Sequence, residues 1–139
     1  IGINPIDLYH LTEINNGRIE YIRSKTKTFY SIKVEPEAME LIQKYKGEKY
    51  LLNYADRHKT HELFSKVVNR KLKSIDNISL YWARHSWATI AASLDIPNET
   101  IAKALGHGER TVTDVYINFD HRKIDEANRK VIDFVFYGL

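Results

Sequence analysis

Cysteine is absent from the 139 residues, which removes a disulfide framework, a thiol nucleophile and the common zinc-ribbon sites, and suits a reducing compartment. Proline (three) and glycine (six) are scarce, and no linker composition, low-complexity tract or internal repeat divides the chain, so one domain is expected. No apolar run approaches the roughly 18 residues of a membrane span, and no membrane partner is expected. Ile1-Gly2-Ile3-Asn4-Pro5 offers neither an initiator methionine nor a basic-then-apolar leader, so the chain reads as a piece of a longer protein. What is present is 43% hydrophobic, 12% aromatic and 28% charged, the profile of a domain able to hold a core without metals or cross-links.

Lys and Arg total 21 against 18 Asp and Glu, a net charge of +3. The excess lies in residues 1–70, which carry 12 basic and 9 acidic side chains. Two stretches concentrate it. Arg18, Arg23, Lys25, Lys27 and Lys33 stand against Glu20, and Arg57, Lys59, Lys66, Arg70, Lys71 and Lys73 stand against Glu62. Cations interleaved with Tyr21, Phe29 and Tyr30 suit a phosphate-rich ligand, although a solvated surface has the same composition.

Asn4-Pro5 predicts a short helix capped by Asn4 and stopped at Asn15-Asn16-Gly17. Residues 18–23 and 29–34 have the β-branched and aromatic content of a hairpin with a basic tip. Glu35-Pro36 opens a helix on Ala38, Leu41, Ile42 and Tyr45 that Gly47 ends, and Leu51-Leu52 is a short buried element of no assigned type. A helix from about Thr60 to Leu72 buries Leu63, Phe64, Val67 and Val68 and turns its cations outward. Ser79 caps a helix to about Leu94, with Ala83, Trp87, Ile90, Ala91 and Leu94 facing the core and Tyr81, Arg84, His85 and Ala88 on another side. Pro97-Asn98 begins a helix ended by Gly106, with Ile101, Ala104 and Leu105 inward. One or two helical turns lead to Tyr116, and residues 121–139 form a C-terminal tail helix with Ile124, Ala127, Val131, Phe134 and Val135 on one stripe. The expected class is α+β, mostly α-helical with a small antiparallel sheet.

Three features stand out together: Tyr81-Trp82-Ala83-Arg84-His85, Leu105-Gly106-His107, and Tyr116 nine residues after His107. Each alone has an ordinary role, as a surface ion pair, a helix terminator and a packing residue. In this order and spacing they resemble the catalytic domain of the tyrosine recombinases, the phage-integrase family, and especially integrases of mobile elements. The family's His/Tyr-x-x-Arg-His box is matched by Tyr81, Arg84 and His85, its Leu-Gly-His turn by residues 105–107, and its nucleophile by Tyr116. The hairpin lysine of the family is matched by Lys25, with Lys27 as second choice. The family's first arginine, in a Gly-Leu-Arg-x-x-Glu-Leu pattern, is not matched, since Gly2-Ile3-Asn4-Pro5-Ile6-Asp7-Leu8 puts Asn4 in its place. Asn4 has no charged fork with which to clamp a phosphate.

The resemblance implies site-specific DNA recombination or integration through a 3′-phosphotyrosine intermediate, which conserves bond energy and requires no metal, nucleotide or small-molecule cofactor. Tyr116 is the implied nucleophile, Arg84 and His107 hold the phosphate, Lys25 is the general acid, Tyr81 supports and His85 braces the helix. Arg23, Lys27, Lys66, Arg70 and Lys73 are expected to contact the DNA backbone. The implied partners are double-stranded DNA and further recombinase protomers, in the cytoplasm or on a bacterial nucleoid. The tail helix either docks on a neighbouring protomer or folds back on its own domain. The domain is read as an N-terminally truncated, integrase-like catalytic domain that cleaves poorly by itself. The alternative is a DNA-binding paralogue with lost or weakened cleavage.

Overall fold

Pro5 presets the first turn of α1 (Pro5–His10), but Asn4 at its N-cap makes no side-chain cap bond, because its amide is engaged by Arg23. The computed structural model describes residues 1–107 and 120–139 of the chain. Strands β1 (Arg18–Ile22) and β2 (Phe29–Lys33) form the expected antiparallel hairpin, with Arg18 opposite Lys33 and Ile22 opposite Phe29. Period-two alternation buries Ile19, Tyr30 and Ile32 and leaves Glu20, Ile22, Phe29 and Lys33 exposed.

Six further helices follow: α2 (Pro36–Lys44), α3 (Asn53–Asp56), α4 (His61–Ile75), α5 (Leu80–Ser93), α6 (Asn98–Leu105) and α7 (Arg122–Tyr137). The described residues are therefore mixed α and β, mostly helical, with a two-stranded antiparallel sheet. Helix α2 ends at Lys44, before Gly47, and buries none of its residues, so Leu41 of its predicted stripe stands exposed. The untyped Leu51-Leu52 segment leads into α3, and Leu51 is pinned by its N–H donating to Leu11 O at 2.7 Å. Thr60 caps α4 by accepting from the Leu63 N–H at 3.3 Å, whereas the Ser79 side chain makes no cap bond on α5. In α4, Phe64 is buried while Leu63 is exposed.

The main core lies between α5, α6 and α7, where Trp87, Ala91, Ile101, Leu105, Ile124 and Val131 are buried together. Full burial of a Val, Leu or Ile side chain stabilises by about 1.5–3 kcal/mol. Trp87 Nε1–H donates to Asn128 Oδ1 at 3.1 Å, so the indole enters the core with its polar atom satisfied. Two smaller clusters, Tyr9 with Ala55 and Phe64, and Leu11 with Ile19 and Leu51, close the hairpin half of the molecule.

Two further predicted stripes are corrected. On α5 the residue that continues the Trp87–Ala91 line is Arg84, and Ala83 is exposed. Positions three and four residues before Trp87 both lie near the core side of a 3.6-residue helix, and the guanidinium finds carbonyl acceptors there that draw it inward. On α7 the stripe stops at Val131, and Phe134, Val135, Phe136 and Tyr137 are exposed. The helix folds back on its own domain through Ile124, Ala127 and Val131, and its later turns are held by the acidic edge of α2: Arg129 pairs with Glu35, Glu37 and Asp133, and Tyr137 Oη–H donates to Glu37 at 2.7 Å. Among the described residues no helix is long and apolar enough to cross a membrane.

Candidate functional site

The turn after α6 is where the predicted residues meet. Gly106 terminates α6 in the left-handed conformation at φ 63°, and a Cβ there would also collide with the Arg23 guanidinium. The turn presents the Leu105 and Gly106 carbonyls and the His107 ring to two arginines from distant parts of the chain. Arg84, from the first half of α5, donates through Nη1 to Gly2 O at 2.9 Å and through Nη2 to Leu105 O. Nη2 also lies 3.3 Å from His107 Nε2. An arginine has only donors, so Nε2 accepts and the His107 ring carries its proton on Nδ1. Gly2 is required here by close approach, since a Cβ would overlap the Arg84 backbone.

The second arginine is Arg23. It follows β1 directly and is only 6% exposed, as is Arg84. Its Nη1 donates to Gly106 O. The hydrogen-bonding orientation of the Asn4 amide puts Oδ1 on Arg23, accepting from Nη2 at 3.1 Å and Nε at 3.2 Å. Arg23 therefore lies inside the site, against the residue that stands where the resemblance would place an arginine, rather than on an outer DNA-contact surface. No carboxylate pairs with either guanidinium among the described residues. Burial first, and then the neighbouring Arg23, lower the pKa of Arg84. Burial likewise lowers the pKa of His107, followed by the positive charges of Arg84, Arg23 and Lys25. Lys25 itself is exposed at the hairpin tip.

Asp7 fixes that tip. It is buried, and its Oδ1 accepts from the Ser24 N–H at 2.9 Å and from the Ser24 hydroxyl at 2.6 Å. Lys25 is thus anchored one residue away from a buried carboxylate. Sequence reasoning did not assign Asp7, although it occupies the acidic place of the Gly-Leu-Arg-x-x-Glu-Leu pattern. The hairpin is also tied to α6 by Tyr30 Oη–H donating to Lys103 O at 2.9 Å.

The remaining predicted residues are dispersed around this cluster. Tyr81 is 49% exposed and packs on the exposed His85 ring edge-on, with centroids 4.6 Å apart; His85 makes no hydrogen bond among the described residues. Lys27 is exposed in the hairpin turn with φ 56°. Lys66, Arg70 and Lys73 recur at helical spacing on an exposed side of α4, unpaired among the described residues. Tyr116 lies outside the described residues. Among them, no group of three or more His, Asp and Glu is placed to hold a metal ion.

No family model matches the chain, and comparison with curated proteins and with solved structures gives no match. The class defined by the observations is thus a mixed, mostly helical α and β domain that gathers two buried arginines and a histidine at one helix-terminating turn, with Lys25 exposed at the tip of the hairpin that supplies Arg23.

Proposed function

We propose that this chain is the catalytic domain of a tyrosine-type DNA recombinase or integrase, with the integrase-like fold of that family. The observation that carries the reading is the convergence of Arg84, Arg23 and His107 on one turn, with no carboxylate paired to either guanidinium among the described residues. Such a site favours an anion, and two guanidiniums suit the non-bridging oxygens of a phosphodiester. Arg23 supplies the charge that Asn4 lacks.

In the proposed reaction the Tyr116 oxygen attacks the scissile phosphorus while the bond from phosphorus to O5′ breaks. The phenol loses its proton to a base, and the departing O5′ takes a proton from Lys25, so that a 3′-phosphotyrosine and a 5′-hydroxyl result. Arg84 and Arg23 stabilise the charge that develops on the phosphoryl oxygens, and His107 Nδ1–H donates to the same group. Rejoining runs the step in reverse with a second 5′-hydroxyl, which is strand exchange.

A nicked duplex that loses its 5′-hydroxyl fragment on cleavage traps the covalent adduct. We expect a protein–DNA adduct that Tyr116→Phe abolishes and that Arg84→Ala slows by about 100-fold or more. Retardation of the duplex without any adduct, even on long incubation, replaces the enzyme reading by that of a DNA-binding paralogue without cleavage.

A further inference from the structure

Away from the two-arginine cluster, residues 44–59 join the end of α2 to α4. They carry Lys44, Lys46, Lys49, Arg57 and Lys59 against Glu48 and Asp56, a surplus equal to the +3 of the whole chain. One of the two acids, Asp56, also ties the loop together. Asp56 Oδ2 accepts from the Glu48 N–H at 2.7 Å, and Oδ1 from the N–H groups of Lys49 and Tyr50 at 3.1 and 3.0 Å.

Three of the five cations lie over aromatic rings. Lys49 Nζ lies 4.9 Å from the centre of the Tyr50 ring, the Arg57 guanidinium 5.4 Å from that of Tyr54, and Lys44 Nζ 5.3 Å from that of Tyr45. The Tyr45 and Tyr54 rings in turn pack at 5.5 Å. None of the five cations forms an ion pair among the described residues. A cation over a ring keeps its charge while its stem is ordered, so less freedom is lost when an anion arrives. Lys49, Arg57 and Lys59 line one open cleft together with Glu48 and Asp56, and with Tyr9, Tyr50 and His58.

We infer that this cleft is a second contact for the phosphate backbone of duplex DNA, separate from the site that holds the scissile phosphate. The inference rests on the DNA reading above and adds a surface to it. Tyr9, at the cleft, is five residues along α1 from Asn4, which touches Arg23. That is about 7.5 Å of helix, well within one turn of duplex, whose phosphates supply a charge about every 1.7 Å of axis. A duplex held at the first site thus carries further phosphates on the length scale that separates Asn4 from Tyr9.

The test is fluorescence anisotropy of the 139-residue chain with a labelled 30-base-pair duplex over a range of sodium chloride concentrations. Each lost phosphate contact lowers the slope of log K against log salt by about 0.9. The variant Lys49→Gln/Arg57→Gln/Lys59→Gln is expected to bind at least about 10-fold more weakly at low salt, with a slope shallower by about 2.7. The double variant Lys49→Gln/Lys59→Gln, which leaves the contact of Arg57 with Tyr54 in place, is measured beside it and is expected to lose about 1.8 of slope. Binding and slope unchanged in the double variant overturn the inference while leaving the DNA reading intact. Failure of the unaltered chain to bind the duplex removes both. Polyglutamate that displaces the labelled duplex better than unlabelled duplex does also overturns it, in favour of an acidic protein partner.

Discussion

Arg84 is the residue on which fold and chemistry meet. Its guanidinium is taken from water, hydrogen-bonded to two backbone carbonyls and set against His107, so it is positioned before any ligand arrives. The same contact fixes the tautomer of His107 and, with burial as the larger cause, favours its neutral form. A bound phosphate would reverse the local field and favour the imidazolium. NMR titration of the His107 ring is therefore expected to give a pKa below the usual 6.5 in the free protein and a higher one with pyrophosphate bound. The linked effect on stability has a definite sign. The unfolded chain holds more protons than the folded one just below pH 6.5, so this residue makes the free protein less stable as the pH falls through that range. A His107 that titrates identically with and without the anion would separate it from the site.

At the scale of elements, what fixes α7 is as much charge as burial. Arg129 bridges Glu35 and Glu37, at the start of α2, to Asp133 one turn further along α7. Hydrogen bonds from Arg129, and then from Tyr137, hold the Glu37 carboxyl down at about 2, from an ordinary value of 4.5. A depressed carboxylate contributes stability that is present above pH 4.5 and disappears as the pH falls toward 2. Thermal melts followed by circular dichroism are expected to show this loss in the unaltered protein and a flatter acid limb in Glu37→Gln, which already lacks the contribution at neutral pH. The polar clasp also explains why α7 was only partly legible in the sequence. Period 3.6 marked Ile124, Ala127 and Val131 correctly, but periodicity has no term for where a helix runs past its core, so Phe134 and Val135 were assigned inward. The hairpin was legible almost to the residue because β-branched alternation and a five-residue tip leave one register. Asn4 was read as a cap from its type, and lost that role because a buried guanidinium is the more demanding partner.

The whole molecule brings Arg23 and Arg84, 61 positions apart in the chain, into one cluster, and no local pattern announces such a pair. Sequence order placed Arg84 and His107 together through the family resemblance, whereas Arg23 was assigned to an outer surface because it sits in a run of hairpin cations. Tertiary packing turned it inward, onto the Gly106 carbonyl. Two like charges held in a partly desolvated site oppose folding, and their pairing with an anion favours it. The fold is thus expected to be more stable with its ligand than without it, by an amount set by occupancy. At a ligand concentration 100 times the dissociation constant the gain is about 2.7 kcal/mol. For a domain of this size that corresponds to a rise in melting temperature of roughly 5–15 °C. Differential scanning fluorimetry with pyrophosphate at matched ionic strength measures it directly. Arg84→Gln removes one of the two forks, so its shift is expected to fall to a small fraction of that of the unaltered chain, whereas Lys73→Gln, on the far exposed turn of α4, leaves it unchanged. Equal shifts in all three proteins would mean that the anion binds elsewhere and that the two-arginine cluster is a packing feature alone.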